Sequence, residues 1–464
     1  MMFIGRQKEL AKLNRMYRNG KLEVAIIYGR RRVGKTTLIN EFCKDKKTIL
    51  FPAIENNAEQ NLEILSGAIA YAQGDTSGIT PMYRSFADAF TKIGEMAQKE
   101  RLVFVIDEYP YLAKAEKSIS SLLQSYIDHG FQNTRLFIIL CGSSMSFMEK
   151  QVLGYQSPLY GRRTAQFKIE PFDYLDTGRW FPNYTAEEKA IMYGITGGIP
   201  LYLEEFSPSL SIKENLLEHM LDKNALLYEE PSNFLKQELR EPATYNAIIS
   251  AVAAGKTKLS EITSTVGIEN GLCTKYITNL IALGILKKEI PVTEPKSKRP
   301  LYQLEDNFFR FWFTFVSKNT AAIISGRIEK SYEATIGAFL SDYMGLTFEK
   351  MCRDYLLYYD TQLPFDLSDI GQWWGGNPKT KKQAQIDIVV TSAEKGEGII
   401  GSCKFRNEKV DVDELSLMQE YAAAMGAFQK QYYYFFSKSG FTETMHKKAG
   451  AHIRLFTLEN LYRV

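Results

Sequence analysis

Residues 24–40 read VAIIYGRRRVGKTTLIN, and this stretch decides the fold. Within it Gly29, Arg30, Arg31, Arg32, Val33, Gly34, Lys35 and Thr36 fill the pattern G-x-x-x-x-G-K-[ST] completely. Residues 24–28 are apolar, as expected of a buried strand, and residues 36–43 have helix-compatible composition. The spacing therefore predicts a strand, a phosphate-binding loop and a helix. Backbone N–H groups of the loop, on through Thr37, together with the positive end of the helix, can wrap the phosphates of a nucleotide. Gly29 and Gly34 permit the tight turn. Lys35 would reach the β- and γ-phosphates, and the Thr36 hydroxyl would ligate Mg²⁺. ATP and Mg²⁺ are the cofactors this arrangement implies.

Composition sets the outer bounds. The 464 residues suffice for two to four domains, and 45% hydrophobic with 24% charged residues fits a globular chain with real cores. A net charge of +3 neither demands nor excludes nucleic acid, so any basic surface is local. Cys43, Cys141, Cys273, Cys352 and Cys403 are scattered without a C-x-x-C pair, which argues for free thiols in a reducing compartment. The four histidines have no metal-ligand spacing. The first residues, MMFIGRQKELAKL, are too charged for a signal peptide, and no apolar run approaches a membrane span. A cytoplasmic protein without a membrane partner is the expectation.

Other motifs follow in chain order. Phe3-Ile4-Gly5-Arg6 is by composition a surface-docking segment; just ahead of a phosphate loop it also resembles the box that covers the nucleotide base in several ATPase lineages. Residues 48–52 read as a second strand, and residues 60–72 and 83–99 as helices. Residues 102–106, LVFVI, form a continuous apolar run of the kind a doubly buried parallel strand requires. It ends in Asp107 and Glu108. Acids there lie beside the phosphate loop if the two strands are neighbours. Asp107 would then hold the Mg²⁺ ligand sphere through Thr36, and Glu108 would take a proton from the attacking water. Residues 135–141 are another buried strand, followed by Ser143 and Ser144. Either serine can hydrogen-bond the γ-phosphate or the attacking water, and the sequence does not choose between them. Arg162 and Arg163, ahead of a strand at residues 165–169, can neutralise charge on a transferred phosphoryl group, or form ordinary salt bridges. A mostly helical stretch over residues 174–228 contains Gly197-Gly198-Ile199-Pro200, where Pro200 would present an apolar face to the base.

The segments FIGRQKEL, GRRRVGKTT, VFVIDEYPYL, IILCGSS, SPLYGRRT and GGIPLYL together resemble the archaeal-type ATPase family. That family belongs to the additional-strand phosphate-loop NTPases, near the AAA+ initiators and the STAND ATPases. The resemblance assigns the Gly197–Pro200 turn to a nucleotide-sensing lid, and it implies that Arg162 or Arg163 is the sensor arginine.

The second half is patterned differently. Residues 245–253, 259–266 and 272–283 read as helices. Residues 285–292 and 301–304 read as strands around the basic loop Lys296-Ser297-Lys298-Arg299. This is a helix-turn-helix with a wing, whose third helix would expose Thr274, Lys275 and Asn279. It serves either nucleic-acid contact or packing against a partner. Beyond it, Glu349 lies on a helix, Asp387 inside an apolar strand, and Lys404 on the next strand. That layout resembles the PD-(D/E)xK nuclease core, in which acids bind Mg²⁺ and the lysine steadies the nucleophile. With Gly371-Gln372-Trp373-Trp374, it is also similar to the domain of unknown function that often follows this ATPase family. The acid expected two residues before Lys404 is Ser402, and Gln385 stands two residues before Asp387. The expectation is a nuclease fold with little or no nuclease activity, with Glu397 and Glu408 as the acids able to move into the gap.

The overall expectation is an α/β multidomain chain. A phosphate-loop parallel-sheet core spans residues 1–172, a helical lid 173–235, a winged helix-turn-helix 236–316 and a restriction-endonuclease-like α/β domain 317–464. It would act as a nucleotide-driven switch on DNA or RNA. A slow-turnover scaffold for a protein partner and an active Mg²⁺-dependent nuclease are the alternatives, and a homo-oligomer is a further expectation.

Overall fold

The computed structural model describes residues 3–75, 82–297, 299–377, 380–394 and 396–463. It divides into two compact units, Met1–Phe172 with Ile199–Leu201, and Asp173–Gly198 with Tyr202–Val464.

The first unit is built on a five-stranded parallel sheet of β1 (Glu23–Tyr28), β2 (Thr48–Pro52), β3 (Leu102–Asp107), β4 (Leu136–Gly142) and β5 (Ala165–Lys168), in the order β2-β3-β4-β1-β5. Strands β1 and β4 are buried along their whole length, and β3 up to its last residue. This is the consequence of helices on both faces, and it explains why these strands read as unbroken apolar runs. Phe90, Phe104 and Phe131 are fully buried in this core. The helix Ala58–Ala72 starts at Asn57, whose side chain accepts the Gln60 N–H. The helix Phe86–Lys99 starts at Ser85, which accepts from Asp88. The caps place these starts at Ala58 and Phe86 rather than at residues 60 and 83.

One condition of the sequence reading is not met. Strands β1 and β3 are not neighbours, because β4 lies between them and pairs with both. The acids at the end of β3 therefore face the phosphate loop across the end of β4. The residue that follows β4, Ser143, falls between the two.

The second unit begins with helices Tyr174–Trp180, Ala186–Thr196, Ile212–His219 and Leu226–Glu238. Thr185 with Glu188, and Ser211 with Glu214, form reciprocal capping boxes that fix two of these starts. Helices Pro242–Ala253, Leu259–Val266 and Asn270–Ala282 follow, then an antiparallel hairpin of β6 (Leu286–Glu289) and β7 (Leu301–Leu304). Lys298, in the loop of that hairpin, lies outside the described residues.

The remainder is a mixed five-stranded sheet of β8 (Leu367–Gly376), β9 (Gln383–Ser392), β10 (Glu397–Lys404), β11 (Lys430–Ser437) and β12 (Ile453–Thr457), in the order β12-β11-β10-β9-β8. β10, β11 and β12 are parallel, while β9 runs antiparallel to β10 and to β8. The long helix Leu340–Tyr358 carries Glu349 against this sheet, and the helix Val412–Met425 packs Leu415, Met418 and Ala422 into its core. Among the described residues no helix is long and apolar enough to cross a membrane. All five cysteines are free.

Candidate functional site

The loop of residues 29–35 leaves β1 and enters the helix Lys35–Cys43. Gly29 is buried, and a Cβ there would run into the backbone carbonyl of Ile169, so only glycine lets the chain pass. Gly34 has φ +83°, in the left-handed region, and a Cβ on it would stand 3.5 Å from the buried Pro200. Arg32, with φ +73°, shares that conformation without being glycine. Val33 is fully buried and pins the loop's floor.

Lys35 is folded under the loop. Its Nζ donates to the carbonyls of Gly29 at 3.0 Å and Arg30 at 2.9 Å. Burial pushes its pKa down, while Asp107 and Glu108 pull it back up. The ammonium is thus held ready at the centre of the cradle, among carbonyls that a phosphate oxygen can displace. The Thr36 hydroxyl, which is exposed, donates to Asp107 Oδ2 at 3.1 Å. Thr37 beside it is also exposed. A hydroxyl and a carboxylate of hard oxygen type, side by side at the mouth of the loop, form the donor set that suits Mg²⁺.

Glu108 sits at φ +52° and ψ +47°, a left-handed conformation that turns the chain sharply out of β3. Its N–H donates to Asp107 Oδ1 at 3.0 Å. Its carboxylate accepts two bonds from Ser143, from N–H at 3.2 Å and from Oγ at 2.9 Å. Of the two serines that follow β4, the structure therefore joins Ser143 to Glu108. Arg31 donates to the Tyr111 hydroxyl at 2.8 Å, a partner four residues beyond Asp107 that the sequence reading did not single out.

Gly5 is buried with φ +70°, and Arg6 follows at φ +62°. The Arg6 guanidinium donates to the Val33 carbonyl at 3.2 Å and to that of Glu170, and lies 4.7 Å from the Phe172 ring centroid. The N-terminal segment is thereby tied to the phosphate loop itself.

The two arginines are placed differently. Arg162 forms a forked pair with Asp128, with Nε at 2.8 Å and Nη2 at 2.7 Å, and its Nη1 donates to the carbonyls of Pro158 and Tyr160. The same pair holds the Asp128 carboxyl below its usual range. Arg163 lies over the Tyr160 ring at 5.8 Å. Among the described residues neither is hydrogen-bonded to the phosphate loop.

In the second unit, Glu349, Asp387 and Lys404 come together as one cluster. Lys404 Nζ lies 3.8 Å from Asp387 and 3.1 Å from Glu414. Ser402 Oγ donates to Glu414 at 2.7 Å, so the carboxylate of Glu414 stands where an acid at position 402 would point. Glu414 comes from the first turn of the helix that follows β10. The acids considered from sequence are elsewhere: Glu397 pairs with Lys430 at 3.2 Å, and Glu408 is exposed. Gln372 donates to Glu349 at 2.5 Å, and the Cys403 N–H to Asp387 at 2.9 Å. Burial raises the pKa of both Glu349 and Asp387, and the charge of Asp387 raises Glu349 further. Burial works against the charge on Lys404, but Asp387 and Glu414 outweigh it and hold its pKa up. Among the described residues no group of three or more His, Cys, Asp or Glu side chains is arranged to hold a metal ion. Lys404 is the cation paired with Asp387 and Glu414, while Arg353 and Lys287 also act on Glu349.

On the helix Asn270–Ala282, Thr274 and Lys275 are exposed as expected. Asn279 is not free at the surface. Its amide donates to the Tyr245 hydroxyl at 2.7 Å and joins this helix to Pro242–Ala253.

Comparison with known proteins matches two stretches of the chain to families. Residues 3–206 match a family described as an ATPase domain predominantly from Archaea. Residues 312–415 match a family described as "Archaea bacterial proteins of unknown function". An uncharacterized protein of Methanocaldococcus jannaschii is 31% identical over 415 residues, covering 88% of this chain and 88% of that protein. An uncharacterized ATP-binding protein of the same organism is 49% identical over 47 residues, covering 10% of this chain and 80% of that protein. A Walker-type ATPase of Pyrococcus abyssi superposes with a TM-score of 0.51 at 20% identity, covering 67% of this chain and 96% of that one, and so shares the fold.

Proposed function

The chain belongs to the archaeal phosphate-loop ATPase family, and from that membership we propose that it is an ATP-hydrolysing, nucleotide-driven switch acting on nucleic acid. The observation that carries the reading is the continuous run of contacts from Thr36 to Asp107 to Glu108 to Ser143, set at the mouth of the Gly29–Gly34 turn. Bound ATP with Mg²⁺ supplies the scissile phosphoanhydride and the divalent charge that polarises it. Lys35 and the loop N–H groups would bind the phosphates, and Thr36 with Asp107 would hold the metal. Glu108 accepts the proton of the attacking water at its carboxylate. Ser143, fixed at the end of β4, orients that carboxylate. Gly5 and Arg6, tied to Val33, and Pro200, beside Gly34, are the residues that would flank the nucleotide. Arg163 is the arginine left for sensing, since Arg162 is committed to Asp128.

The three helices Pro242–Ala253, Leu259–Val266 and Asn270–Ala282 with the hairpin β6–β7 support a winged-helix reading, and thus nucleic acid as the object of the switch. Binding to DNA or RNA is expected to weaken steeply as salt rises. Absence of binding at low salt, with ATP and with ADP, ends this reading. A second reading, a slow-turnover scaffold for a protein partner, is favoured by one observation: Lys275 is the single cation on the helix Asn270–Ala282. Nucleotide-dependent assembly in light scattering without nucleic acid would support it, and a monomer in every nucleotide state would remove it.

A further inference from the structure

We propose that the cleft between the hairpin β6–β7 and the strands β8 and β9 binds a single-stranded nucleic-acid segment by stacking a base on Trp374; this rests on the nucleic-acid reading above. The cleft measures about 920 Å³, near the upper end of the ~300–1,000 Å³ typical of ligand sites. Its lining combines three chemistries: the Trp374 ring, the cations Lys258 and Arg299, and the amides Asn270, Gln383 and Gln385. No acidic side chain is among the described residues that line it. A cationic rim, an aromatic platform and amides able to read base edges are the elements of single-strand recognition.

The walls are firmly joined. The Val292 N–H donates to the Gln372 carbonyl at 2.9 Å, and a Cβ at Gly371 would stand a tight 3.0 Å from Val292 Cβ. The Tyr302 N–H donates to the Thr257 carbonyl at 2.7 Å and fixes β7 against the helix Leu259–Val266. Gln383 and Gln385 are exposed in alternation with the buried Ala384 and Ile386, and Trp374 is paired directly opposite Gln385. Gln372, two residues before Trp374 across a shift in the β8–β9 register, holds Glu349, and Asp387 lies two residues beyond Gln385. The cleft and the Glu349–Asp387–Lys404 cluster thus share strands β8 and β9.

The test uses the full chain and fluorescein-labelled dT20 and rU20, read by anisotropy, with a random-sequence duplex as the third arm. Trp374→Ala is expected to weaken binding of one or both single strands about 10-fold or more, and Trp374→Phe to retain most of it, because the stacking face survives. Arg299→Ala is expected to reduce the slope of log affinity against log salt by about 0.7. Lys223→Ala, at an exposed position outside both the cleft and the three-helix winged module, is expected to leave single-strand affinity within two-fold. The proposal is overturned if the parent binds dT20 or rU20 and Trp374→Ala binds it equally well, or if only the duplex binds. In both of those cases the nucleic-acid reading survives without the cleft. If no arm binds at low salt, that reading fails and the cleft with it.

Discussion

Replacing Lys404 by methionine isolates the charge at the centre of the second-unit cluster, because methionine keeps much of the apolar stem. The lysine side chain is 27% exposed, and its partners Asp387 and Glu414 are 15% and 10% exposed. At separations of 3.8 Å and 3.1 Å, the attractions are worth about 4 and about 5 kcal/mol at an effective dielectric of 20, before the lysine's own desolvation is subtracted. Removing one partner of a buried pair costs about 3–5 kcal/mol, and the partial exposure here lowers that to about 2–3 kcal/mol. The loss depends on pH. Glu349 and Asp387 already have folded-state pKa values above their unfolded ones, and without Lys404 they rise further. Between the unfolded and folded values the native state binds more protons than the unfolded chain, so stability falls as pH rises through that window. The penalty of Lys404→Met is therefore larger at pH 8 than at pH 5. Urea unfolding followed by tryptophan fluorescence measures it cleanly, since Trp180, Trp312, Trp373 and Trp374 account for all four tryptophans and lie in the second unit. A penalty below about 0.5 kcal/mol, or one equal at the two pH values, would refute the ion-pair account of this cluster.

Four further outcomes are expected. Ser143→Ala removes one charge-assisted bond from Glu108 and should lower ATP turnover about 10-fold with ATP affinity unchanged, as steady-state kinetics beside equilibrium binding will show. Lys35→Met should abolish ATP binding yet leave the nucleotide-free chain at least as stable. The burial that depresses the lysine's pKa also opposes folding below that pKa, so thermal melts at pH 7 without nucleotide should show no loss. Asp128→Asn releases Arg162 and should cost no more than about 1 kcal/mol, with turnover within two-fold of the parent; a collapse of turnover would return Arg162 to a catalytic role. Purified protein with Mg²⁺ or Mn²⁺ should leave single- and double-stranded DNA and RNA intact on gels, and cleavage abolished by Lys404→Ala would contradict this.

What could be read from the sequence was local. The loop of residues 29–36 is specified within a dozen residues, because the strand, the turn glycines and the helix start are contiguous. The runs ending at Asp107 and Cys141 declared themselves as doubly buried strands through composition alone. The order of those strands is a matter of sheet pairing, which no run of residues encodes, and so the insertion of β4 between β1 and β3 stayed open. For the same reason the choice of Ser143 over Ser144 waited for the position of Glu108, 35 residues earlier in the chain. The pairing of Arg162 with Asp128, and of Asn279 with Tyr245, each spans 34 residues and is equally invisible to periodicity. The bond from Ser402 to Glu414 joins β10 to the helix that follows it, and its only sequence signal is an acid in that helix's first turn.

The account stands or falls on nucleotide uptake by the loop of residues 29–37. Titration calorimetry of the folded full chain with ATP and Mg²⁺ is expected to show saturable binding that disappears in Lys35→Ala and persists in Glu108→Gln. No heat at millimolar ATP, from protein whose melting transition is intact, would contradict it.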